Sequence, residues 1–443
     1  MRFAALPLAL VLCSTGPVGP VVAPVMTLIA RDYVQLVLGL GLHDQDYVDA
    51  YYGPADWRAT AEKSAWTLAE IGRRAADVRK SLAAVPGSER PGATTPTAEA
   101  ELDRLRREYL DRQLSSLLVR VRMLGGERLT FEEESRGLYD AAAPILPESH
   151  FEKLTAEFER RFPGTEPLVD RYEAFRKQFV IPRDRLEKVF DAAIDECRAR
   201  TKKHIELPPG ERFTVEYVTG KSWSAYNWYK GEFTSVIQVN TDLPVYIDRA
   251  VDLACHEGYP GHHVYNVLLD KHLVRDRGWV EFSVYPLFSP QSLIAEGTAN
   301  FGIDVAFPGR ERLTFERDRL YPLAGLDQSK AEAYYEAAQL AERLSYAGNE
   351  AARKYLSGEF TAAQAVAWLE KYALMTRPRA EQRVKFIEQY RSYVINYNLG
   401  KDLVRAFIER RGGTAGFPAR RWQEFAALLS SPRLPSGLSG STQ

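Results

Sequence analysis

The sequence predicts a mainly α-helical fold with a small embedded β-sheet. Apolar residues recur at three- and four-residue steps over most of the chain, while runs of β-branched and aromatic residues are confined to a short stretch after Pro209. The 443 residues are 45 % hydrophobic, which is enough to bury a large core. We therefore expect one domain over residues 27–429, with an N-terminal helical part at 27–205 and a second part at 206–429.

Helical periodicity in the N-terminal part is clearest in three segments. Their apolar positions are Tyr33, Val34, Val37 and Leu38, then Leu68, Ile71 and Ala75, and then Leu102, Leu105, Tyr109 and Leu110. Between the second and third segments, residues 86–96 are rich in Pro, Gly, Ser and Thr. This composition predicts an exposed loop between two long helices.

The periodicity changes after Pro209. Residues 213–218 and 235–239 are β-branched and aromatic runs with partial alternation, which predicts two strands of a small sheet. Thr241 followed by Pro244 is typical of a helix N-terminus, and apolar residues then step at helical spacing over 247–254. A helix is thus predicted to lead directly into a cluster of histidines.

Both ends of the chain have distinctive compositions. Residues 1–26 begin with Met1-Arg2, continue with an apolar run to Cys13 and reach a small residue at Ala23, which resembles a secretory signal peptide. We expect an exported protein, periplasmic or extracellular, with a lipid anchor at Cys13 and a cytoplasmic location as the alternatives. Residues 430–443 are rich in Ser, Pro and Gly and predict a flexible tail.

Composition excludes several classes of protein. Lys and Arg total 58 against 59 for Asp and Glu, so the net charge of −1 provides no basic field to attract nucleic acid. No segment after the N-terminus is long and apolar enough to span a bilayer, so we expect no integral membrane span. Three cysteines are too few for a disulfide scaffold. The oligomeric state cannot be inferred from these features.

Three of the seven histidines, His256, His262 and His263, lie within eight residues of one another, and Glu257 follows the first of them. The His-Glu start on an apolar helix resembles the zinc-protease motif HExxH, in which two imidazoles one turn apart bind the metal and the glutamate activates water. Here the second histidine is displaced. The cluster predicts a metal site with His256 as one ligand and Glu257 as the general base.

The displacement requires an interrupted helix. A separation of six residues leaves His262 on the opposite side of a continuous helix from His256. The Gly and Pro residues at 258–261 allow a bulge that brings His262 round. His263 returns to the original face but lies about 10 Å further along the axis. We favour His256 and His262 as the ligand pair, and His256 with His263 is the alternative.

A catalytic zinc needs a third protein ligand. Glu296 interrupts an apolar helical stretch over residues 292–301, and a buried carboxylate is costly unless it is paired or bound to a metal. Glu296 is therefore the predicted third ligand, and Asn300, one turn later, is a candidate hydrogen-bonding partner for it. The alternative is that Glu296 pairs with an arginine of a neighbouring helix.

The run from His256 to His263 resembles the HExxPGHH signature of the bacterial domain-of-unknown-function 885 family, whose members are similar to gluzincin metallopeptidases. Three shorter segments also resemble motifs of that family: Asn240-Thr241, Glu296-Gly297 with Ala299, and Tyr397-Asn398-Leu399-Gly400. The resemblance covers residues 230–412. It implies a large helical zincin-like metallopeptidase fold in which His256, His262 and Glu296 bind Zn²⁺ and Glu257 is the general base.

A peptide is the substrate that this resemblance implies. Tyr397 is a candidate donor to the oxyanion of the tetrahedral intermediate. The strand at 235–239 is a candidate to bind an extended substrate by strand addition, and ordinary sheet packing is the alternative. Arg377, Arg379 and Arg383 are candidates to bind a terminal carboxylate, and a solvated helix face is the alternative.

Two other functions remain open at the level of the sequence. A non-proteolytic zinc hydrolase of amides or esters would use the same metal ligands and differ in its substrate pocket. A helical binding protein with a catalytically silent metal would close the coordination sphere with a fourth protein ligand, for which His263 is available.

Overall fold

The computed structural model describes residues 22–86 and 97–440, and these residues are mostly helical with two small sheets. The predicted mainly α fold with a small sheet is confirmed. Most of the predicted signal peptide and nearly all of the predicted loop at 86–96 lie outside the described residues. The last residues of the predicted signal segment belong to the first helix, where Met26 is buried in the core.

In the described ranges, eight α-helices precede the larger sheet. They are α1 Val22–Gly41, α2 Ala55–Ser64, α3 Leu68–Ala83, α4 Ala98–Leu124, α5 Phe131–Tyr139, α6 Glu148–Arg161, α7 Leu168–Arg176 and α8 Leu186–Lys202. The three predicted periodic segments fall in α1, α3 and α4, and their residues Tyr33, Ile71 and Tyr109 are fully buried. Thr67 and Thr97 cap α3 and α4 by accepting hydrogen bonds from backbone N–H groups of the first turn.

The remaining helices of the described chain follow the larger sheet. They are α9 Asp248–Leu253, α10 His262–Leu269, α11 Pro290–Ala306, α12 Glu311–Phe315, α13 Tyr321–Ala324, α14 Ala331–Glu342, α15 Ala347–Leu356, α16 Ala362–Tyr372, α17 Arg377–Tyr390, α18 Ile395–Arg410, α19 Pro418–Leu429 and α20 Pro435–Leu438. Helix α11 is buried along almost its whole length. It is the central helix around which the candidate site is arranged.

The larger sheet has three strands in the order β2-β4-β3, namely β2 Arg212–Val218, β3 Ala225–Gly231 and β4 Thr234–Asn240. Strand β4 pairs in parallel with β2 and antiparallel with β3, so both of its edges are occupied. The prediction that residues 235–239 bind substrate by strand addition is therefore wrong. A smaller sheet pairs β1 Val48–Tyr51 with β5 Val284–Pro286.

The helix before the histidines begins later than predicted, at Asp248. Residues 245–247 first pair with 179–181, since Ile181 N donates to Val245 O (2.9 Å) and Ile247 N donates to Phe179 O (2.9 Å). Thr241 does not cap a helix, because its hydroxyl donates to Val218 O (3.3 Å). Long-range pairing thus outweighs the local capping pattern.

One main hydrophobic core contains buried residues from both parts of the chain, such as Tyr33 of α1 and Ile294 of α11. The segment after α19 also packs into this core, with Leu434 and Leu438 buried. The prediction of a flexible tail is wrong over residues 430–440, because two leucines four residues apart bury one side of it. No helix of the described ranges has the length and apolar character needed to cross a membrane.

Candidate metal centre

The histidine cluster lies where a helix is interrupted, as predicted. Helix α9 runs into a π-helical turn, Ala254–Gly258, which carries His256 and Glu257, and α10 then begins at His262. Gly261 stands between the two helices, and a Cβ atom at that position would overlap the carbonyl oxygen of His256. The close backbone contact turns His262 towards His256, so that their Nε2 atoms lie 3.1 Å apart.

Glu296 of α11 completes this group. Its Oε2 atom lies 3.2 Å from His256 Nε2 and 3.7 Å from His262 Nε2. Ligand atoms held about 2.0 Å from one tetrahedral zinc ion are ~3.3 Å from each other. The three predicted ligands are therefore brought together at the spacing that a single ion requires.

One oxygen of the Glu296 carboxylate has a hydrogen-bond partner, and the other has none among the described residues. Oε1 accepts a hydrogen bond from Tyr393 OH (2.8 Å), whereas Oε2 is buried and accepts none from the described residues. A buried carboxylate oxygen without a partner is costly. A cation between Oε2 and the two imidazoles would remove that cost, and two imidazoles with one carboxylate are a donor set that suits zinc.

The charges around the imidazoles also favour a cation. Burial lowers the pKa of His262, but the neighbouring carboxylates of Glu296 and Glu257 together raise that pKa to about 9. Burial raises the pKa of Glu296, yet the adjacent imidazoles hold it well below its usual range. The Glu296 carboxylate is therefore ionised, and its Oε2 atom lies where the three ligand atoms converge.

Glu257 lies beside the point where the ligand atoms of His256, His262 and Glu296 converge, but it is not one of the three predicted ligands. Its Oε1 atom is 4.0 Å from His256 Nε2, and the nearest ligand atoms of His256, Glu257 and His262 all lie within 4.8 Å of one another. Burial raises the pKa of the Glu257 carboxyl above its usual value. Asn227 of β3 fixes the turn by donating to the Glu257 carbonyl oxygen (2.7 Å). A carboxylate at this distance leaves room for a water molecule next to the ligands.

His263 points away from the centre into the protein. Its Nδ1 atom lies 2.9 Å from Ser235 Oγ, and its Nε2 atom lies 3.2 Å from Glu211 Oε2. Both ring nitrogens therefore have partners, and the side chain is 0 % exposed. Of the two ligand pairs left open by the sequence, the geometry brings His256 and His262 together and leaves His263 out.

Two glycines set the position of the tyrosines opposite Glu296. Helices α11 and α18 cross at Gly297 and Gly400, where a Cβ on either residue would overlap the backbone of the other helix. This crossing places Tyr393, just before α18, against Glu296 and brings Tyr397 into the same cleft. The Glu-Gly and Tyr-x-x-Gly motifs thus have a common physical basis in one helix contact.

A residue of the N-terminal part of the chain holds the junction between α17 and α18. Buried Glu134 of α5 accepts hydrogen bonds from Ser392 N (3.1 Å), Ser392 Oγ (2.6 Å) and Arg391 Nε (2.8 Å). These bonds fix the short 3₁₀ turn Arg391–Val394 that carries Tyr393. Helices from the first two hundred residues therefore support the centre without contributing a ligand.

A cleft of about 1450 Å³ opens over the centre. It exceeds the ~300–1,000 Å³ that is usual for small-ligand pockets. The walls include Glu257, Tyr226 of β3, Arg383 of α17 and Tyr397 of α18. Asp49 of β1 also lines it, bonded to Tyr226 OH. Burial raises the pKa of Asp49 to about 6, although the hydrogen bond from Tyr226 opposes this.

Some polar residues differ from their predicted roles. Asn300 does not touch the Glu296 carboxylate; its side chain donates to the Glu296 carbonyl oxygen (2.9 Å) and to the Tyr397 carbonyl oxygen (3.4 Å). Sequence reasoning missed Tyr393, although it stands one helical turn before Tyr397. It also missed Asp49, for which the local sequence offers no comparable pattern.

No protein-family model matches the chain, and no curated protein sequence matches it. Among solved structures, the chain resembles a candidate lipoprotein from Colwellia psychrerythraea with a TM-score of 0.51 and 15 % identity, over 86 % of this chain and 71 % of that one. It also aligns with a candidate lipoprotein of unknown function from Shewanella oneidensis, with a TM-score of 0.41 and 14 % identity, over 85 % and 79 % of the two chains. The first likeness shows a shared fold and no more.

Proposed function

We propose that the protein is a zinc-dependent metallopeptidase. The observation that carries this proposal is the buried, unpartnered Oε2 atom of Glu296, which stands 3.2 Å and 3.7 Å from the Nε2 atoms of His256 and His262. Three of the segments that resemble the domain-of-unknown-function 885 family support it, because His256–His263, Glu296-Gly297 and Tyr397–Gly400 contribute to this centre and its cleft, whereas Asn240-Thr241 lies outside it. The volume of the cleft favours a peptide over a small amide or ester.

In the proposed mechanism, His256, His262 and Glu296 hold the metal ion. Bound zinc supplies Lewis acidity, which polarises the scissile carbonyl and lowers the pKa of a water molecule. Glu257 accepts a proton from the attacking water as its oxygen bonds to the carbonyl carbon. Glu257 then passes that proton to the amine nitrogen as the C–N bond breaks.

Tyr397 and Tyr393 have different parts in this mechanism. Tyr397 lines the cleft and makes no side-chain hydrogen bond with another described residue, so its phenol is free to donate to the carbonyl oxygen as negative charge develops there. Burial raises the pKa of Tyr397 well above its usual value, so the phenol keeps its proton. Tyr393 is a positioning residue, since its phenol is already bonded to Glu296.

Metal content is the first test. We expect about one zinc ion per purified chain, and its loss in both His256→Ala and Glu296→Ala. A peptide library should then be cleaved by the wild type, and Glu257→Ala should retain metal without turnover. Absence of metal after dialysis against zinc would contradict the proposal. Hydrolysis of small amides or esters alone would indicate the non-proteolytic alternative, and bound metal without any hydrolysis would indicate a binding protein.

We also propose that the protein is exported. The apolar N-terminal pattern supports this location, and so does the candidate lipoprotein from Colwellia psychrerythraea with which the chain shares its fold. Expression of the full chain with a periplasmic reporter fused at its C-terminus tests the location. Activity of the reporter only in the cytoplasm would contradict it.

A further inference from the structure

The three arginines of α17 that the sequence offers for carboxylate binding have different environments. Arg377 is exposed and pairs with Glu381 (3.0 Å). Arg379 donates a hydrogen bond to the carbonyl oxygen of Pro244 (2.9 Å). Arg383 lines the cleft and has no hydrogen-bond or ion-pair partner among the described residues. Arg379 and Arg383 both line the cleft, and Arg383 is the one of the two that no described residue pairs by a hydrogen bond or an ion pair.

The surroundings of Arg383 make its unpaired state costly. Its Nε atom is buried without a partner, and its guanidinium carbon lies 4.8 Å from the ring centre of Phe386 and 5.7 Å from that of Tyr397. Burial lowers the pKa of Arg383, and the electrostatic influence of Tyr397 and Glu296 does not offset this. Arg383 is half-buried, and an acceptor in the cleft would satisfy donors of its guanidinium that no described residue pairs.

Most other basic side chains in the cleft wall already have carboxylate partners. Those partners are Asp252 for Arg249 and Arg312, Glu157 for Arg343, and Asp304 for Lys401 and Arg405. Arg176 makes no such pair in the described structure, but it lies over the Tyr246 ring and is influenced by an acidic neighbour. Burial lowers the pKa of Arg176, and the charge of Asp248 more than compensates. Arg383 lacks that compensation.

Arg383 also stands close to the proposed centre. The Tyr397 ring, which it contacts, is 5.8 Å from the Tyr393 ring, and the Tyr393 phenol donates to Glu296. Two aromatic side chains thus connect the free guanidinium to a proposed metal ligand along one wall of the cleft. A guanidinium is well suited to a carboxylate, because its parallel N–H groups bind both oxygens.

We propose that Arg383 binds the free α-carboxylate at the C-terminus of a peptide, which makes the protein a carboxypeptidase. This inference rests on the proposed metallopeptidase function and specifies its substrate class. The cleaved bond is then the one near the C-terminus whose carbonyl reaches the metal centre while the carboxylate contacts Arg383. An internal peptide bond in a long chain, or one near an amidated C-terminus, lacks this contact.

The test compares one N-acetylated tripeptide as the free acid and as the C-terminal amide. We expect the wild type to cleave the acid with a kcat/KM about 10- to 100-fold higher, the range expected for hydrogen bonds to a charged group. In Arg383→Met the ratio of kcat/KM for the acid to kcat/KM for the amide should fall to about one. Arg383→Lys should keep part of the preference, because it retains the charge and loses the paired N–H geometry.

Arg377→Met is the matched control, because it removes an exposed arginine from the same helix and should leave the preference unchanged. Calorimetric titration of both tripeptides into Glu257→Gln, with and without Arg383→Met, measures binding independently of turnover. Equal cleavage of acid and amide by the wild type, or an acid preference that survives in Arg383→Met, would overturn the proposal. Failure to cleave either peptide would contradict the peptidase function instead, and the titration would still decide whether Arg383 binds a carboxylate.

Discussion

Two neighbouring clusters in this protein contain nearly the same types of residue. They differ in whether the oxygen atoms of their glutamate have hydrogen-bond partners. In one, Glu296 faces His256 and His262, and its Oε2 atom has no hydrogen-bond partner among the described residues. In the other, Glu211 contacts the adjacent His263 (3.2 Å) and also accepts hydrogen bonds from Tyr259 OH (2.6 Å) and Arg198. The first cluster lines the cleft, whereas the second lies between β4 and α10.

This difference shows that residue type alone does not distinguish a binding site from a structural support. Both clusters contain a buried glutamate and histidine, but only the first has an unused acceptor directed at a point where other ligand atoms meet. In the second, the hydrogen-bonding capacity of His263 is used up by Ser235 and Glu211. The second cluster holds α10 against β4 and thereby helps to orient His262 one residue earlier in the chain.

The largest expected effect is a difference in zinc content between single alanine substitutions of two adjacent histidines. We expect His262→Ala to lower the zinc content from about one ion per chain to near zero, because it removes a proposed ligand. His263→Ala should retain the ion and lose ~1–3 kcal/mol of folding free energy, because Glu211 and Ser235 each lose one buried hydrogen-bond partner. Metal analysis and urea unfolding of both variants measure this contrast. Loss of metal in His263→Ala but not in His262→Ala would reverse the assignment of the two clusters.

A second contrast compares substitutions of two glutamates outside the proposed ligand set, Glu257 and Glu211. Glu257→Gln should lower kcat by about 10²- to 10⁴-fold with metal content unchanged, because it removes the proposed general base. Glu211→Gln should keep its kcat and lose stability, since Glu211 lies outside the cleft. Steady-state kinetics on a cleaved library peptide, beside thermal unfolding, separates the two effects. A normal kcat in Glu257→Gln would contradict the proposed mechanism.

Acid should weaken the structural cluster in a defined pH range. Burial raises the pKa of Glu211, but hydrogen bonds from His263, Tyr259 and Arg198 outweigh this and lower it to about 2. Because this pKa lies below the value of 4.5 for an unperturbed glutamate, ionised Glu211 contributes ~3 kcal/mol to stability above that pH. This contribution is lost as the pH falls from about 4.5 to about 2. Urea unfolding over that range should show a steeper loss in the wild type than in Glu211→Gln.

The smallest effect should come from the phenol that orients Glu296. Tyr393→Phe removes the hydrogen bond to Oε1 and should weaken zinc affinity by about 10- to 100-fold, as is usual for outer partners of a metal ligand. Tyr139→Phe is the matched control, because the buried Tyr139 hydroxyl has no partner among the described residues and its ring packs against that of Tyr393. Competition with a chromogenic chelator measures both affinities. Equal affinities would show that Oε1 needs no support.

The parts of the fold and site that the sequence predicted depend on short spacings. The helical segments around Tyr33, Ile71 and Tyr109 have a local period, and the interruption between His256 and His262 follows from glycine and proline within four residues. Glu296 was recognisable because a carboxylate stood in an apolar helix. In each case the physical cause lies within one or two helical turns of the residue.

The features that were missed depend on contacts between distant segments. Asp49 enters the cleft through the pairing of β1 with β5, and Thr241 is diverted from capping because residues 245–247 pair with 179–181. Whether 235–239 was an edge or a central strand depended on β3, which lacks the β-branched run that marks the other two strands. The orphaned oxygen of Glu296 and the unpaired state of Arg383 are visible only once every neighbour is in place.

The contact between Gly297 and Gly400 has a consequence for the proposed catalysis. Because the backbones of α11 and α18 touch, neither helix can move closer to the other. This contact restrains the positions of Glu296 and the two tyrosines and so favours a preorganised set. A hydrogen-bond donor held rigidly in this way stabilises developing charge without a cost of reorganisation at the moment of reaction.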